Sequence, residues 1–103
     1  MVKGIGVDIV DIKRIELKIK DKVLSNEEMI LFDNMSDIRK KEFLAGRFAI
    51  KEALFKAGIK DSFSSLNIKY NEDNSIYLEN YPNVKISISH EREYAIGFAI
   101  IEN

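Results

Sequence analysis

The chain has no cysteine, a single histidine and a single proline, and no excess of either charge. Without cysteine there is no disulfide and no thiolate metal site. Small secreted chains often use disulfides, so their lack favours the cytoplasm. His90 is the only imidazole, which excludes a multi-histidine zinc site. The net charge is −1, from 16 basic and 17 acidic residues, which argues against nucleic acid as a partner. No apolar stretch approaches the length of a membrane span and no signal peptide opens the chain, so no membrane partner is expected.

What is present is ordinary globular composition: 46% hydrophobic and 32% charged residues over 103, enough for one domain across residues 1–103. A domain this small buries only part of its surface, which leaves room for oligomerisation. A first strand runs to about Val10. Isoleucines 12, 15 and 19 recur at roughly helical spacing, and Ser25-Asn26-Glu27-Glu28 reads as a capping box before a short helix. A long helix runs from about Asp37 to Ala57, with Gly58 as its stop. The period then changes to strand-like. A hairpin is expected around Asn71–Asn74, then an alternating strand from Val84 to Ser89, a turn over 90–93, and a strand from Tyr94 to Ile101 buried on both faces. The class is α+β.

Asp8 sits in the apolar run Gly4-Ile5-Gly6-Val7-Asp8-Ile9-Val10, which reads as a buried strand. An unpaired carboxylate there would cost several kcal/mol, so something must compensate it. Alternation puts Ile5, Val7 and Ile9 on one face and Gly4, Gly6 and Asp8 on the other. The two glycines predict a hollow beside the carboxylate that can hold a cation. The other reading is a salt bridge to Lys3 or a distant lysine.

A second carboxylate lies in an unfavourable place. On a wheel of about 100° per residue, Glu52 falls within the apolar stripe of Leu44, Phe48, Phe55 and Ile59. Lys56, one turn on, is a possible partner, but an exposed i,i+4 pair contributes only about 0.2–0.5 kcal/mol. Phe43, Ile50 and Leu54 form a second strip, as on a helix packed between two layers. Two carboxylates without histidine or cysteine partners suit Mg²⁺, which binds through one or two carboxylates, waters and substrate phosphates. Arg47, Lys51, Lys56 and His90 would then neutralise phosphate oxygens. No Walker loop is present. The residues by themselves point to a magnesium and phosphate site with an unspecified substrate.

Three segments carry a resemblance. They are Gly4–Ile12, the helix run Arg47-Phe48-Ala49-Ile50-Lys51-Glu52-Ala53-Leu54-Phe55-Lys56-Ala57, and Ile86-Ser87-Ile88-Ser89-His90 with Tyr94-Ala95. In this order and spacing they resemble the holo-acyl-carrier-protein synthases, the small bacterial phosphopantetheinyl transferases. The resemblance implies an antiparallel sheet packed on a long central helix, and a homotrimer with active sites between subunits. It implies Mg²⁺-dependent transfer of 4′-phosphopantetheine from coenzyme A to a serine of apo acyl carrier protein. It also implies Asp8 and Glu52 as metal ligands; in the mechanism that follows from it, Glu52, directly or through a metal-bound water, is the candidate base, with His90 the less favoured one, and Lys56 offsets charge on the leaving phosphate. Arg47, Lys51, Lys56 and His90 would bind coenzyme A, and Arg14 the carrier protein.

The chain departs from that pattern in two places. The glycine-rich loop that usually follows the long helix has one glycine here, Gly58, and the usual Gly-Lys-Pro before the last hairpin is replaced by Asn74-Ser75-Ile76. Two rival readings use the same residues: a magnesium-dependent hydrolase of phosphate esters, and an oligomeric interaction domain whose Asp8 and Glu52 are structural ion pairs.

Overall fold

The computed structural model describes residues 1–103. Strand β1 covers Val2–Asp11 and leads into two 3-10 turns, Ile12–Arg14 and Leu17–Ile19, and one α-turn, α1 (Lys20–Val23). Helix α2 (Asn26–Asp33) starts at the expected capping box, with Ser25 and Glu28 each bonded to the other's backbone. Helix α3 spans Asp37–Ala57. The Ser36 hydroxyl accepts from the Arg39 N–H at its start, and Gly58, at φ 130°, ends it. After a 3-10 turn at Phe63–Ser65 come β2 (Ile68–Tyr70), β3 (Ile76–Leu78), β4 (Val84–His90) and β5 (Tyr94–Glu102). The amphipathic stretch of isoleucines 12, 15 and 19 is thus helical in part, as two 3-10 turns leading into α1.

Strands β2 and β3 form a separate hairpin, while β1, β5 and β4 form an antiparallel sheet in that order. Asp8 is opposite Gly97, Val7 opposite Phe98 and Ile9 opposite Ile96. Helix α3 lies across the inner face of this sheet. A Cβ on Gly6 would overlap the Ala53 carbonyl, and one on Gly97 would lie 2.5 Å from the Ile50 Cα. The space beside Asp8 is therefore filled by the helix backbone. Gly4 and Gly6 serve close strand–helix approach, not the cation-holding hollow expected.

Two core clusters flank the helix. Phe32, Phe43, Leu44 and Ala95 belong to one, and Ile50, Leu54, Leu66, Leu78 and Val84 to the other. Burying each large side chain contributes about 1.5–3 kcal/mol.

The outer face of the sheet overturns two expectations. Ile5, Val7 and Ile9 are more than half exposed, so β1 is not buried on both sides. Strand β5 alternates instead of being buried throughout: Ala95, Ala99 and Ile101 point in, and Tyr94, Ile96 and Phe98 point out. The single helix layer covers one face only, and nothing in the chain covers the other.

Candidate functional site

Asp8 ends up at the edge of α3 rather than beneath it. Its side chain keeps 19% of its exposure and its Oδ1 accepts from the Lys56 ammonium at 3.1 Å, with Lys56 also donating to the Val7 carbonyl at 3.2 Å. The salt-bridge reading of Asp8 holds in part, with Lys56 and not Lys3 as partner. Lys56 is 52% exposed, so this pair is weakly held, worth about 0–1 kcal/mol.

Glu52 is half-buried and lines the same cavity as Asp8, a cleft of about 710 Å³ also bordered by Phe48, Tyr94, Asp11 and Arg14. It therefore stands at a cleft wall and not in the core as the wheel suggested; Phe55 of the same stripe is 45% exposed. Glu52 takes part in none of the chain's ion pairs. Arg14 is almost fully exposed at the rim, 4.0 Å from Asp11. A free carboxylate and a loosely paired one, both oxygen donors, fit a hard cation that keeps its waters. No third acidic or imidazole ligand joins them, so water and substrate oxygens must complete any such shell.

The other expected residues lie elsewhere. Arg47 and His90 line a second cavity of about 360 Å³, with Tyr70, Ser87, Arg39 and Glu42. His90 closes β4 instead of standing in the following turn. The Arg47 guanidinium is buried, donates to the Tyr70 hydroxyl at 3.0 Å and stacks on Phe43 at 4.4 Å. Asn74, Ser75 and Ile76, which replace the Gly-Lys-Pro motif, all line this cavity.

Lys51 lies in neither cleft. Its side chain has no exposure, and its ammonium donates to Glu28 Oε1 at 2.6 Å, the Val23 carbonyl at 2.7 Å and the Phe63 carbonyl at 3.0 Å. All three donors of the ammonium are used, so the expected coenzyme A contact is not available to it. Burial pulls its pKa down, and the neighbouring Glu28 pushes back up.

Glu28 caps α2, as the sequence predicts. It is also fully buried, taking Lys51 and the Ser25 N–H on Oε1 and the Ile68 N–H on Oε2, with Arg47 Nε 3.6 Å away. A sequence signal for it exists. Arg47 and Lys51 continue the Phe43–Ile50–Leu54 strip, and two cations in an apolar strip demand a buried acid.

A model of the 4′-phosphopantetheinyl transferase superfamily matches residues 4–99. The chain belongs to this superfamily. Among transferase relatives, the holo-[acyl-carrier-protein] synthase of Mycoplasma mycoides is 44% identical, the match covering 97% of this chain and 94% of that one. The corresponding Geobacillus protein is 45% identical, over 99% and 98%. A crystal structure of the Bacillus anthracis synthase in complex with CoA (3′,5′-ADP) superposes with a TM-score of 0.89 at 33% identity, covering 99% of this chain and 97% of that one. The transferase fold is thus shared over nearly the whole chain, long helix and sheet included.

Proposed function

We propose that the protein is a holo-[acyl-carrier-protein] synthase, moving 4′-phosphopantetheine from coenzyme A to a serine of apo acyl carrier protein. The observation carrying this reading is the joint placement of Asp8 and Glu52 at one cleft, with Lys56 paired to Asp8, in a chain whose relatives bear that name. The whole chain serves as one transferase domain. We place the activity in the cytoplasm, in keeping with a cysteine-free chain; no helix is long and apolar enough to cross a membrane.

Asp8 and Glu52 would hold Mg²⁺. When bound, it would screen the pyrophosphate of coenzyme A and favour departure of its nucleotide half. Glu52, unpaired in the cleft, takes the proton from the serine hydroxyl. The serine oxygen forms a bond to the β-phosphorus. The bond from that phosphorus to the oxygen bridging it to the α-phosphorus breaks, and adenosine 3′,5′-bisphosphate leaves. Lys56, held by an exposed pair with Asp8 and by the Val7 carbonyl, swings from both to the leaving phosphate and offsets its charge. His90 lies on the other cavity, which favours Glu52 as base. Arg47 and His90 bind the nucleotide phosphates. Arg14, with Lys13 and Lys18 nearby in sequence, attracts an acidic carrier protein.

The two groups of residues line separate cavities of one protomer, which supports a site completed between subunits of a homotrimer. The exposed outer face of β1 and β5, with Ile5, Val7, Ile9, Ile96 and Phe98, supports the same assembly.

The test mixes the protein with coenzyme A, Mg²⁺ and apo acyl carrier protein and weighs the carrier. A gain of one phosphopantetheine is expected. Phosphate release with no carrier gain would instead identify a hydrolase. No gain, with no rise in melting temperature on adding Mg²⁺ and coenzyme A, would identify an interaction domain.

A further inference from the structure

The buried triad of Glu28, Arg47 and Lys51 carries one negative charge against two positive ones. All three side chains are at most 5% exposed. Both oxygens of Glu28 are engaged: Oε1 takes Lys51 and the Ser25 N–H, and Oε2 takes the Ile68 N–H and keeps one free lone pair. Arg47 Nε, 3.6 Å from Oε2, is close enough for attraction but makes no hydrogen bond, and it is the one buried side-chain polar atom without a partner. Nothing else on the adjoining cavity removes the excess, because Glu42 there faces Arg39 at 3.6 Å.

We infer that Lys51 is a positioning residue for coenzyme A: by neutralising Glu28 through Oε1 it weakens the pull of that carboxylate on the Arg47 guanidinium, which faces Oε2, and so leaves Arg47 for an anionic phosphate in the cavity. Lys51 never touches the ligand. Its charge balances Glu28, and the charge of Arg47 is left over for the substrate. The inference rests on the proposed coenzyme A site and names how that site is kept cationic.

Removing Lys51 alone leaves the Glu28 charge uncompensated and draws Arg47 from 3.6 Å into a hydrogen-bonded pair with Oε2, away from the cavity. Removing both charges frees Arg47 again. Gln at position 28 keeps one oxygen for the Ser25 N–H of the capping box and gives up the bond from the Ile68 N–H; an uncharged buried pair in place of an ionic one is commonly tolerated.

The experiment measures coenzyme A and 3′,5′-ADP binding by calorimetry in the wild type, Lys51→Met and the double variant Glu28→Gln/Lys51→Met, with the fold checked by circular dichroism. We expect Lys51→Met to weaken both ligands about tenfold, the scale of one charge-assisted hydrogen bond. The double variant should return to within about threefold of the wild type. A residue that merely stabilised the fold, or that touched phosphate directly, would leave the double variant at least as weak as the single one. If Lys51→Met does not fold, wild-type-like binding by a folded double variant supports the inference and weak binding overturns it. Unchanged binding in Lys51→Met, or loss of fold in both variants, also overturns it. A wild type that binds neither ligand overturns the functional reading itself.

Discussion

Asp8 is neutralised by an ammonium half in solvent, Glu28 by one with no solvent contact at all. Both cations come from the same helix, five residues apart. The difference lies in what else each acid touches. Glu28 accepts two backbone N–H groups as well as Lys51, so its charge is woven into the joining of α2, β2 and α3. Asp8 has Lys56 and the open cleft, so its partner can be exchanged. A site that must admit a cation and phosphates needs the second kind of pairing. A site that must present a fixed positive charge needs the first.

The largest effect expected is on the buried side. Glu28→Ala should lower unfolding free energy by about 3–5 kcal/mol in urea titrations, since it strands two buried cations. Asp8→Ala should change it by less than about 1 kcal/mol, because its pair is exposed. Equal losses would break the comparison. At the cleft, Glu52→Gln should cut the kcat/KM of carrier loading by about a hundredfold with an unchanged melting temperature, in line with loss of a general base; a melting temperature that fell in parallel would make Glu52 structural.

A smaller effect tests the shared footing of the two cavities. Gly97 pairs with Asp8 on one side and Ile88 on the other, against the helix backbone at Ile50. Gly97→Ala should cost about 1–3 kcal/mol by forcing strand and helix apart. Urea titration reads the stability loss, and calorimetry should show magnesium and coenzyme A binding weakened together.

The smallest effect belongs to a half-buried surface acid. Glu79 is held below its ordinary pKa of 4.5, first by the Asn67 amide and then by Lys69. The folded value being the lower one, its stabilisation is present above 4.5 and fades as pH falls through the lowered value. Glu79→Gln should flatten only that part of the acid unfolding curve. A large change at neutral pH would show that exposure is not what separates Asp8 from Glu28.

Much of the architecture was legible in the chain. The capping box at Ser25–Glu28, the stop at Gly58 and the period change after it are local signals, and each element formed near its expected bounds. Asp8 and Glu52 were legible as misplaced charges and do share a cleft. The faces of the strands were not legible. Ile5, Val7 and Ile9 look like core because alternation gives two faces without saying which one the helix takes. The glycines decided it, since only residues without a Cβ admit the Ala53 and Ile50 backbone. Lys51 and Lys56 fall on different faces of one helix, but the partner of each lies on another element and was not legible.

By itself the sequence determined the elements, the family and the two carboxylates, because these depend on neighbours within a few turns of the chain or on motifs read residue by residue. Only the tertiary structure decided which charges are spent inside the fold and which stay free for a ligand. That choice depends on distance across elements: Lys51 meets Glu28 from 23 positions away and Lys56 meets Asp8 from 48, and only folding brings either pair within reach.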